Sequence, residues 1–170
     1  MANFNFVNLT DSVRGKMLSE VEMDISKGNI YISGRLNELG IEKYVEFLKE
    51  SIENGTEEIL EALIRDNNCL NDTEISNGKT KKVPSNAAQL IAQSEFNRFY
   101  IRAICLEAIE NDIESVEVYR ARESSWSRPE SETMIGRQIN PKELLEDLRI
   151  SIGVTPQILP EINSGLSIKI

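Results

Sequence analysis

Six residues within one stretch of this chain have the types and spacing to do chemistry. They are Glu95, Arg98 and Arg102, followed by Arg120, Arg122 and Arg128. Helical spacing sets the first three on neighbouring turns of one face. A strand returning beside that helix would bring Arg120 or Arg122 to Glu95. A carboxylate among guanidiniums can serve either of two ends. It can receive a phosphate-containing ligand, since the guanidinium fork matches phosphate geometry; the chain is then a small enzyme or ligand-binding protein. Or the charges pair with one another and fix how strand and loop dock on the helix, as structural ion-pair networks do. We favour the second, because no catalytic motif accompanies the cluster. Trp126, the single tryptophan, lies between Ser125 and Ser127 in the following loop. Two readings stay open for it: a side chain folded back on the core, or an exposed anchor for a partner protein, a role in which Trp is enriched.

Composition narrows the chemistry further. The chain has no histidine, which removes Ser-His-Asp triads, Cys-His nucleophile pairs and His-containing zinc sites. Cys69 and Cys105 alone cannot build a structural zinc site. No Gly-x-Ser-x-Gly elbow and no glycine-rich phosphate loop occurs. No cofactor, metal or catalytic residue is therefore expected. The 28 acidic residues carry no diagnostic pair spacing, and Glu57, Glu58, Glu61, Glu107, Glu110 and Asp112 read as solvated helix faces. The net charge of -9 repels phosphate backbones at long range and argues against direct nucleic-acid binding. It leaves room for an acidic regulatory protein that recognises a basic partner. Residues 1–6 have neither a basic nor an apolar region of signal-peptide type, and no apolar run is long enough to span a bilayer. The expected location is cytoplasmic or, for a particle component, the virion.

The elements that must position the cluster follow from periodicity and caps. Thr10 and Asp11 start a helix carrying Val13, Met17, Leu18, Val21 and Ile25, which Lys27-Gly28 stops. The apolar residues 4–9 before it read as an extended arm. Residues 29–33 fit a strand or an extended link. Ile41, Tyr44, Val45, Leu48 and Ile52 form a second helix ending at Asn54-Gly55, and Thr56-Glu57-Glu58 opens a third, giving an αα-hairpin. Residues 67–83 read as a loop with a solvated lysine run. A long, nearly all-apolar helix runs from Ser85 to about Asp112, followed by an alternating strand over 116–121 and a loop over 122–139. Asn140-Pro141 with Glu143 begins the last helix, through Ile152 to Gly153. The tail 154–170 is expected to run over the surface and add a short edge strand. The fold class is mainly α (α+β). The expected division is a helical lobe over 1–70, a linker over 71–84, a central segment over 85–153 and an extended tail over 154–170.

The central stretch resembles the head-morphogenesis domain of tailed-phage minor head proteins, the phage Mu F-like family. The similarity lies in the helix Ile91-Ala92-Gln93-Ser94-Glu95-Phe96-Asn97-Arg98, the short strand, and the loop from Arg128-Pro129 to Gly136. It covers about a third of the chain. Gln93 stands where that family has Arg, Ser131 falls near its usual His, and its loop Asp is missing. The resemblance thus implies scaffold rather than reaction centre. Glu95, Asn97, Arg98, Arg102, Arg120, Arg122, Arg128, Pro129 and Gly136 would hold helix, strand and loop together. The implied role is a minor structural or adaptor protein bound to capsid or portal subunits, or a repurposed copy in another assembly.

Overall fold

The structure is a computed structural model and describes residues 3–124, 128–153, 155–160 and 164–170. In chain order the elements are α1 (Asp11–Ser26), α2 (Glu38–Asn54), α3 (Glu57–Asp66), β1 (Thr73–Ser76), β2 (Lys79–Lys82), α4 (Ala87–Glu110), β3 (Val116–Arg120), α5 (Pro129–Met134), β4 (Gln138–Ile139), α6 (Pro141–Ile150) and β5 (Leu166–Lys169). The expected class, mainly α (α+β), holds, and the strands form two small antiparallel sheets. The chain forms two compact units that divide elsewhere than the sequence suggests. One is 1–30 with 97–170, the other the contiguous 31–96. The second unit is thus an insertion in the first, and α4 runs through both segments.

Unit 31–96 rests on α2 and α3. Asn37 caps α2 by accepting from the Gly40 N–H, and Thr56 caps α3 by accepting from the Glu58 N–H. Their inner faces bury Tyr44, Leu48, Ile52, Leu60 and Ile64. Residues 29–33 form no strand; instead Leu36 bridges to Leu70. The segment expected as a loop is a β-hairpin with the register Ser76↔Lys79 and Glu74↔Lys81. Its two-residue turn is Asn77-Gly78, with φ of +52° and +74°, the left-handed conformations a tight hairpin turn requires. Arg35 clamps the base of the ribbon, donating from Nε and Nη2 to both Glu74 oxygens at 2.8 and 3.2 Å.

The discontinuous unit has α4 as its axis. From Asn97 to Cys105 every α4 residue is buried, the polar Asn97, Arg98 and Arg102 included, so these three must find partners inside. β3 is central in a three-stranded antiparallel sheet of order β4-β3-β5. Ile168 pairs with Val118 and Leu166 with Arg120. The tail therefore does supply an edge strand, but a buried one: Leu166, Ser167 and Ile168 are all inaccessible. The loop expected over 122–139 also contains order, in α5 and in the two residues of β4. The N-terminal arm docks as expected. Phe4 stacks on Phe6, and Phe6 meets the Tyr100 ring at a tilt of 57°, while the Asn5 N–H donates to the Ala121 carbonyl at 2.7 Å.

Thr10 caps α1, accepting from the Val13 N–H. Gly15 sits within this helix with open space where a Cβ would go. Gly15→Ala should therefore stabilise the protein by about 0.5–1 kcal/mol, through reduced unfolded-state entropy and higher helix propensity. Urea denaturation checks this, and a midpoint below that of the parent would contradict it.

Candidate functional site

Arg102 is the largest fully buried side chain among the described residues, at 0% exposure. An arginine can stay charged there only if every part of its fork is matched. Two acids of α1 do this. Nε donates to Glu20 Oε1 at 2.9 Å, and the two terminal nitrogens donate to the Asp24 oxygens at 2.7 and 2.8 Å. Glu20 is shared. Arg149 of α6 donates to it from Nε at 2.9 Å and from Nη2 at 2.8 Å. Two cations and two anions thus balance, tying α1, α4 and α6 together. The Arg102 guanidinium also lies 5.0 Å from the Phe99 ring centroid, within cation–π range.

The electrostatics follow from this packing. Burial pushes the Glu20 carboxyl upward, but Arg149 and Arg102 more than reverse it and hold the group below its ordinary value of 4.5. A carboxyl depressed in the folded state stabilises the fold above its unfolded value. That contribution is lost as pH falls through the folded value. Acid unfolding should therefore steepen below about pH 4.5. Glu20→Gln should flatten this slope in urea melts taken between about pH 5 and 3, and an unchanged slope would count against the assignment. Burial pushes the Cys105 thiol well up, so it is a packed, unreactive group.

Two further expected site residues bond backbone carbonyls. Asn97, fully buried, donates from Nδ2 to the Leu166 carbonyl at 2.9 Å and accepts from Ser167 Oγ at 2.7 Å. It thereby fixes β5 on α4. Arg98 donates to the Ser151 carbonyl at 2.9 Å. Arg120 pairs with Glu132 of α5 at 2.8 Å, and the buried Arg122 lies over the Phe4 ring at 5.4 Å. Glu95 is buried at 4% exposure. Arg102 forms its ion pairs with Glu20 and Asp24, and Arg120 with Glu132. Arg128 and Pro129 are exposed and start α5, with Pro129 at its first turn. Gly136 has φ of +86° and donates its N–H to the Val118 carbonyl at 2.8 Å, extending the β3–β4 ladder. Ser125, Trp126 and Ser127 lie outside the described residues.

Sequence reasoning missed Glu20, Asp24, Arg149 and Asp147. The first two were visible in principle. With Val13, Met17 and Val21 they occupy the inward stripe of α1, so two acids stand where apolar residues belong. Asp147 organises the tail by accepting from Ser151 Oγ and from the Gln157 and Ile158 N–H groups, all at 2.9–3.1 Å.

Among the described residues no group of three metal-ligating side chains comes together, and no helix is long and apolar enough to cross a membrane. Comparison with known proteins gave no match to any family model, curated protein or solved structure.

Proposed function

We propose that this chain is a non-enzymatic structural or adaptor protein of a multiprotein assembly, of the kind its central stretch resembles in phage minor head proteins. The observation that carries this reading is the engagement of the candidate cluster. Arg102 is committed to Glu20 and Asp24, and Asn97 and Arg98 to backbone carbonyls. A phosphate would have to displace two buried carboxylates from Arg102, at the cost of leaving them unmatched in the interior. Such an arrangement suits rigidity better than ligand exchange. The assembly's other subunits, capsid or portal proteins for a phage-borne chain, are the proposed partners.

Co-expression with the products of the adjoining genes tests the reading. Stable co-purification through size-exclusion chromatography with one of those subunits is the expected result. Failure to co-purify with any of them, together with millimolar binding of phosphate or a nucleotide that Arg102→Lys abolishes, would overturn it.

A further inference from the structure

The ribbon β1–β2 is the basic feature of an acidic chain. It carries Lys79, Lys81 and Lys82 against a single Glu74, while the chain as a whole has net charge -9. All four β2 residues are exposed. The two-stranded sheet has no third strand among the described residues. In a hairpin of this register, residues 76 and 79 and residues 74 and 81 face each other across the closely bonded sites. The N–H groups of Thr80 and Lys82 then point to the outer edge. Lys79 and Lys81 flank that edge on one face of the ribbon. Lys82 flanks it on the other, the face that also carries Ile75 of β1, at 79% the most exposed large hydrophobic among the described residues. Lys81 does not find full neutralisation at home: Glu74 meets Arg35 with both oxygens, and Lys81 reaches it only at 3.8 Å. An open edge with cations on both faces calls for an acidic occupant.

The same unit displays one. Glu38, Glu42, Glu46, Glu50 and Glu53 recur at three- or four-residue spacing along α2, and all are exposed. Like charges at this spacing destabilise an isolated helix. Lys43 lies 3.6 Å from Glu46. Successive acids on the helix stand about 6 Å apart. Lys79 and Lys81, two residues apart on a strand, stand about 7 Å apart. Leu39 and Ile41, 44% and 53% exposed, lie beside the first acids, as Ile75 lies beside the lysines. We propose that the β1–β2 ribbon docks along the α2 acidic stripe of a second copy of this chain. The lysines pair with the glutamates, and the carboxylates accept from the edge N–H groups. The biological meaning of this contact rests on the assembly reading above.

Charge reversal in two variants tests it on the purified chain alone. Variant one is Lys79→Glu/Lys81→Glu/Lys82→Glu; variant two is Glu42→Lys/Glu46→Lys/Glu50→Lys. The parent should self-associate in sedimentation velocity at low salt and dissociate as salt rises. Each variant alone should lose association by at least about tenfold, since close interfacial charge pairs couple by that much or more. Their equimolar mixture should recover it, because the reversed ribbon of the first then meets the reversed helix of the second, and the native ribbon of the second meets the native helix of the first. Lys→Gln and Glu→Gln versions, with circular dichroism melts, separate loss of contact from loss of fold. A parent that is monomeric at all salts, or a dimer indifferent to both variants, overturns the proposal. So does a mixture that stays monomeric. Binding of a synthetic glutamate-rich peptide to the ribbon of a monomeric parent would also overturn it, in favour of an acidic partner strand. None of these outcomes decides the co-purification experiment, which uses other subunits.

Discussion

Replacing Arg102 by alanine is expected to lower the unfolding free energy by about 3–5 kcal/mol, the cost of breaking a buried ion pair from one side. The reason lies more in what remains than in what is lost. Asp24 receives two hydrogen bonds from Arg102 and is 4% exposed. Without the guanidinium it is a carboxylate in the interior of the unit. Glu20 keeps Arg149 and suffers less. Arg102→Lys should fall between parent and alanine variant, because a single ammonium cannot match both carboxylates in the fork geometry. Urea melts at neutral pH read the effect directly. A loss below about 1 kcal/mol, the scale of an exposed pair, would show that water reaches the network.

The second large effect concerns Gly40. This residue lies in the first turn of α2, buried, where an added Cβ would come within 2.4 Å of the Cys69 carbonyl oxygen and 3.1 Å of the Leu36 Cβ. The close approach is backbone against backbone, set by the Asn37 N–H that donates to the Cys69 carbonyl at 2.8 Å. No side-chain rotation relieves it. Gly40→Ala should therefore destabilise by about 1–3 kcal/mol, as overpacking does, even after the gain of about 1 kcal/mol in helix propensity. It should act opposite in sign to Gly15→Ala, though both place alanine in a helix. A stabilised Gly40→Ala variant would mean that the 36–40 and 69–70 segments separate without cost.

Three helix starts were legible because their signals are local. Thr10, Thr56 and Asn140 each cap the helix that their position in the sequence announces. The hairpin was not, though Asn77-Gly78 is a strong turn signal. Its strands, Thr-Glu-Ile-Ser and Lys-Thr-Lys-Lys, bury almost nothing and so lack the alternation by which strands are recognised. What secures the ribbon is Arg35, nearly forty positions earlier. The burial of the tail escaped because its partner is remote. Leu166-Ser-Ile-Lys reads as a surface edge until the Asn97 amide, 69 positions away, is seen to hold it. At the candidate site the arginines stood out, whereas their neutralising acids did not. Glu20 and Asp24 lie about eighty positions from Arg102, and chain separation of that size leaves no local pattern.

The insertion of residues 31–96 within the other unit has a consequence for the order of events on the ribosome. Unit 31–96 is made as one uninterrupted stretch. It can close while later residues are still being synthesised, as domains generally fold as units. The other unit cannot. β3 lacks one of its two neighbours until Leu166–Lys169 has emerged, and α1 waits with Glu20 and Asp24 for Arg102 and Arg149. Limited proteolysis of stalled nascent chains should find 31–96 protected well before 11–26. Simultaneous protection of both would show that the inserted unit depends on its host.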